Sequence, residues 1–198
     1  MTAVYEWKPM PHCLDIRCPE CSRLATFEFA EMVKIQLKKD VPFFQNHSLF
    51  DYAFFRDSCG NGWHAAIFFA GLRISHTSAL TDLPEGYEPS AWDHSRYLHQ
   101  SRGNGNDLGT VVCRNCSLRR KHTLSWPNDA YFQIDSRGKV LWAYHRESAI
   151  DLRNYLESVD RKQSGYKWEL FLRHVPGDFL VAGLREQQVK LLDRLLRG

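Results

Sequence analysis

No apolar run in this chain approaches the roughly 20 residues a membrane-spanning helix needs; the longest lies near Ala65 to Leu72. Met1 to Met10 carry Glu6 and Lys8 and no apolar stretch, so no secretory leader is expected. The chain is therefore read as soluble and cytoplasmic, with no membrane partner. An excess of one charge sign is also nearly missing. Twenty-six Lys and Arg stand against 23 Asp and Glu, a net +3 with His neutral, too little to argue for a polyanionic partner from totals alone. No repeat of solenoid period and no low-complexity tract is visible. There is no His-Glu-X-X-His and no Ser or Cys set out with His and an acid, and Gly103-Asn104-Gly105 falls short of a phosphate-binding loop. No catalytic residue is assigned. Cysteine is scarce too, at six among 198 residues, but its placing is the most informative feature of the chain.

At 43% hydrophobic and 25% charged residues, the composition is that of an ordinary globular protein. The length is enough to bury a core without disulfides. A single domain over 1–198 is expected. Leu24 to Phe29 reads as a strand, and Val33, Ile35 and Leu37 alternate with polar residues as a half-buried strand does; Pro42 is taken to end that section. Leu49 to Phe55 and Trp63 to Phe69 are aromatic-rich strands around a turn-forming segment, which predicts a hairpin. Residues 75–106 read mostly as loop, with a short helix near Trp92 to His99. Thr123 to Trp126 is expected to be a strand, and Tyr131 to Asp135 with Lys139 to Tyr144 a second hairpin. The period then changes. Leu152, Tyr155, Leu156 and Val159 recur at helical spacing, with Ser148 and Asp151 as a capping box. Leu184, Leu191, Leu192 and Leu195 mark a C-terminal amphipathic helix. The class is α+β.

Cys18-Pro19-Glu20-Cys21 and Cys113-Arg114-Asn115-Cys116 form two matched pairs. A two-residue gap in a tight turn lets both sulfurs face one point, and two such turns complete a tetrahedral thiolate site suited to zinc. In a reducing compartment paired cysteines indicate metal more often than disulfide. Residues 22–112 separate the pairs, so the intervening strands are read as an insertion. Cys13 and Cys59 are left over and are read as idle or buried thiols.

The two pairs, over residues 16–30 and 108–135, resemble the split halves of a zinc ribbon, a family frequent in nucleic-acid machinery. The resemblance implies a structural zinc on Cys18, Cys21, Cys113 and Cys116. It divides the chain into ribbon halves at 18–21 and 108–146, an insertion at 22–107 and a C-terminal helical part at 147–198. Arg114 lies inside the second pair and Arg119-Arg120-Lys121-His122 follows it. The metal would hold these cations in place for phosphate contact, which leads to DNA or RNA as the expected partner. A solvated strand face is the plainer reading of the same residues. The second functional class is a protein-interaction module docking through the C-terminal helix or the aromatic hairpin. A third comes from Asp93-His94, Asn104, Asn106 and Lys121-His122, which with the cysteines resemble the HNH nucleases. There a divalent ion would activate water, and a helix would have to follow Cys116, where the sequence reads as a strand.

Overall fold

In the computed structural model, residues 10–56, 59–73, 80, 82–89, 94–96, 107–136 and 138–198 are described. Among them are nine strands and four α-helices. The strands are β1 (Cys13–Arg17), β2 (Leu24–Phe29), β3 (Glu31–Ile35), β4 (Phe50–Arg56), β5 (Gly62–Phe68), β6 (Leu108–Val112), β7 (Arg119–Thr123), β8 (Gln133–Ser136) and β9 (Lys139–Trp142). The helices are α1 (Val41–Asn46), α2 (Arg146–Glu157), α3 (Glu169–Leu172) and α4 (Arg185–Arg197). The strands form sheets ordered β1-β2-β6-β7, β3-β5-β4 and β8-β9. The α+β class holds. Among the described residues no helix is long and apolar enough to cross a membrane. The chain divides into two compact units, Met1–Ala25 with Trp126–Gly198, and Thr26–Ser125.

In the Thr26–Ser125 unit, β2, β6 and β7 pair antiparallel, with Phe27 opposite Val111 and Val111 opposite Arg120. Alternation along β2 buries Phe27 and Phe29 and leaves the other face more open, the half-buried pattern expected of a two-faced strand. Gly109 lies where a Cβ would sit 2.3 Å from the Phe27 ring and from the Glu28 carbonyl oxygen, so any side chain there would push β2 and β6 apart. The β3-β5-β4 sheet is apolar on both faces. One side gathers Ile35, Phe44, Phe50, Ala66 and Phe68 with Tyr87. The other gathers Met32, Trp63, Ala65 and Ile67 with Phe69. Pro42 stands in the first turn of α1, where its missing N–H has no helical acceptor to lose.

In the other unit, α2 buries Ala149, Leu152, Tyr155 and Leu156, and α4 buries Gln188, Val189 and Leu192. The guanidinium of Arg153 on α2 donates to Asp193 on α4 at 2.9 Å. Around them Trp126, Trp142, Tyr144, Trp168 and Phe171 form a chain of ring contacts.

Four expectations are corrected. The strand after the second cysteine pair runs Arg119–Thr123 and not Thr123 to Trp126, because it pairs along β6 and that register ends at Leu108 opposite Thr123. Leu37 lies beyond β3, which stops at Ile35. The capping box of α2 sits one turn early. His145 is the cap and Ser148 its reciprocal partner, while Asp151 instead accepts the Trp168 backbone N–H at 2.9 Å. Val159 falls past the end of α2 and is 80% exposed. The helix expected near Trp92 to His99 lies largely outside the described residues.

Candidate metal centre

The sulfurs of Cys18, Cys21, Cys113 and Cys116 all lie within 4.8 Å of one another. A tetrahedron of Zn–S bonds about 2.3 Å long has edges of about 3.8 Å, so modest side-chain rotation would close this set on one ion. The donors are four thiols, a soft set that suits zinc.

Each pair is held by the same backbone turn. The Cys18 N–H donates to the Arg23 carbonyl at 2.8 Å, and the Cys113 N–H donates to the Leu118 carbonyl at 2.8 Å. The residue after each second cysteine is serine, and both serines are left-handed, Ser22 at φ 59 and Ser117 at φ 61. Few non-glycine residues adopt that conformation, so its recurrence in both turns marks a shared requirement. Each turn closes a ring on its first cysteine, and the left-handed step sends the chain back along its entry path. Burial repeats as well: Cys18 and Cys113 are each 2% exposed, while Cys21 is half-buried and Cys116 is exposed. The repeated Cys-X-X-Cys-Ser was visible in the sequence, and the serine's role was missed there. Cys13 and Cys59 are exposed and stand outside this cluster.

The second turn leads into β7, which among the described strands pairs with β6 at one edge of its sheet. Arg114, Arg119, Arg120 and Lys121 are all exposed. Alternation puts Arg119 and Lys121 on one face of the strand and Arg120 and His122 on the other. The first pair has partners inside its own unit. The Arg119 guanidinium donates to the carbonyls of Gly71, at 2.8 Å, and Arg73. The Lys121 ammonium pairs with the Asp51 carboxylate and lies 4.7 Å from the centre of the Phe69 ring. The His122 ring meets the Phe27 ring edge to face at 6.0 Å.

His94 is 2% exposed and stacks on Phe29 at 4.4 Å. Beside it Ser95 is fully buried and donates to the Leu108 carbonyl at 2.7 Å. Arg96 pairs with Asp107 at 2.9 Å. Burial raises the Asp107 carboxyl above its ordinary pKa, and the Arg96 charge offsets part of that shift. These contacts are those of a packed core around a histidine. Asp93, Asn104 and Asn106 lie outside the described residues, and a strand follows the second cysteine pair where the nuclease pattern calls for a helix. Comparison of the chain with protein-family models, curated proteins and solved structures returns no match.

Proposed function

We propose that this chain is a zinc-stabilised, non-catalytic protein that binds nucleic acid as part of a larger assembly. The supporting observation is the four-cysteine cluster with exposed cations inside and just after its second turn. Bound there, zinc would supply folding free energy and fix the two turns. Four thiolates fill its coordination, so it keeps no position for a substrate. In this reading 18–21 and 108–146 are ribbon halves, 22–107 is an insertion and 147–198 is a helical appendage.

Two of the four cations already hold contacts inside their own unit. Arg119 and Lys121 tie β7 to neighbouring strands and loops, and drawing them to phosphate would break those bonds. Arg114, exposed between two of the ligands, is the stronger candidate for phosphate contact. Gel-shift and fluorescence titrations at two salt concentrations test this. The Arg114→Ala variant should bind more weakly at every sequence and lower the slope of log K against log salt by about 0.7–0.9. Arg119→Ala, Lys121→Ala should lower thermal stability more than it lowers binding. Wild-type protein that binds neither single- nor double-stranded DNA or RNA at low salt would overturn the proposal.

A protein-interaction role has its own support in the helical part, where Ile150, Leu170 and Val181 are 40–47% exposed. It takes the lead if nucleic acid is not bound and charged substitutions at these three positions abolish an assembly that the wild type forms.

A further inference from the structure

One end of the β4–β5 hairpin differs from the rest of its sheet. Along one face Phe50, Phe68 and Ala66 are buried, joined by Phe44 of α1 and by Tyr87. Further along the same face the cover stops. Phe54 is 47% exposed, and Tyr52 and His64 are half-buried. These rings are held in place. Tyr52 Oη and His64 Nδ1 share a hydrogen bond of 2.6 Å, and the two rings lie 5.9 Å apart at 28°. His64 stands opposite Phe54 across the strands, with ring centres 5.0 Å apart. The tip of the Phe54 ring lies over Gly62, where a Cβ would fall 2.2 Å from Cζ and push the ring aside. The Arg56 guanidinium sits 5.6 Å from the centre of the Phe54 ring. Among the described residues of β4 and β5, no carboxylate lies on this face. Asp51 alternates to the other side, where it meets Lys121.

We infer that Tyr52, Phe54 and His64 form a stacking platform for the unpaired bases of single-stranded DNA or RNA, with Arg56 beside it for the backbone. The inference rests on the nucleic-acid reading above and narrows it. Every base offers a π-face to an open aromatic ring, and a cation beside the ring meets the phosphate that follows. Duplex hides those faces inside its stack, so the platform selects single strands. Cross-strand cover of a glycine by an aromatic ring is a structural device in its own right, and it predicts a different set of variants.

The test uses the full chain loaded with zinc and labelled oligo-dT and oligo-U of about 15 nucleotides, the upper range for one such surface. A duplex of the same length is the control. Phe54→Ala and Phe54→Leu should each weaken binding to at least one single strand by about 5- to 150-fold, from stacking values of about 1–3 kcal/mol per base. Phe54→Tyr should bind as the wild type does. Leucine keeps apolar cover over Gly62, so loss of binding with an unchanged melting temperature separates stacking from packing. Phe54→Leu that binds like wild type would overturn the platform. So would wild type that binds duplex and neither single strand, and the broader reading would survive. Wild type that binds no nucleic acid overturns both.

Discussion

Two regions of this protein are held together by different means. The paired cysteine turns, Cys18–Arg23 and Cys113–Leu118, contain little apolar side-chain mass, and the strand that leaves the second is exposed along most of its length. Their order is that of two repeated hydrogen-bonded rings with four sulfurs in common. The helical part has the reverse character. Leu152, Tyr155 and Leu156 of α2, Leu172 of α3 and Leu192 of α4 are each at most 3% exposed, and the hydrophobic effect is the dominant force there. A region that folds around a metal can present charge outward, because its stability does not depend on an apolar face. A region that folds by burial has less freedom to do so. This is why the cations of the second turn are the better place to look for function.

The largest expected effect comes from removing a ligand. Cys113→Ser should take away zinc and unfold the strands around it, because metal affinity in such sites is folding free energy, of order 10–16 kcal/mol in isolated zinc modules. Wild-type protein should carry about one zinc per chain by elemental analysis. An unchanged melting temperature with unchanged metal content would break the contrast between the regions. Leu192→Ala should come next, at about 2–5 kcal/mol, since Leu192 is 1% exposed. Its zinc content should stay at the wild-type level. A variant that loses zinc along with stability would mean that the two regions unfold as one.

Both regions were partly legible in the sequence, for physical reasons that differ. The cysteine spacing announced a cluster because two sulfurs two residues apart have few ways to face apart. The helical pattern of Leu152, Tyr155 and Leu156 announced a buried face because the α-helix repeats every 3.6 residues. What stayed hidden depended on partners distant in the chain. Arg119 and Lys121 read as a free basic run, and nothing local says that Gly71, Arg73 and Asp51 receive them. Ser148 and Asp151 looked like a standard cap, and nothing in the sequence marks His145 as one. The correct cap is an imidazole, whose frequency at that position is too low for pattern reading to favour. Gln188 was passed over on α4 because an amide does not signal burial, yet it is 1% exposed.

A smaller effect should follow from the serines. Ser117→Val forces a β-branched residue into the left-handed region and should destabilise the second turn by about 1–3 kcal/mol. Ser117→Gly relieves strain in the fold and loosens the unfolded chain, so the two contributions oppose. The same substitutions at Ser22 should give the same ranking, valine well below serine and glycine, because the turns match in backbone. Chemical denaturation of the zinc-loaded variants measures this. A Ser22→Val variant as stable as wild type beside a damaged Ser117→Val would show that the two turns are alike in shape and unlike in load.

The smallest effect belongs to the helical region and should appear only with pH. His145 accepts the Ser148 backbone N–H through Nδ1 at 3.4 Å, and the Ser148 hydroxyl accepts the His145 N–H at 3.0 Å. The acceptor role needs an unprotonated Nδ1. Burial lowers the His145 pKa, and Asp15 and Glu147 offset part of that shift. A histidine with a lowered folded pKa stabilises the fold fully above its ordinary unfolded value of about 6.5, and that contribution is lost as pH falls through the folded pKa. Acidification below about pH 6.5 should therefore weaken α2. His145→Asn keeps a neutral capping acceptor with no proton to gain, so it should match wild type at pH 7.5 and exceed it at pH 5.5 by about 0.5–1 kcal/mol, within the range of a single cap. Cysteine ligands also protonate in acid and release metal, but both proteins share that loss. The difference between their melting temperatures across the pH range isolates the imidazole. Parallel curves at every pH would show that this ring does not cap the helix in solution.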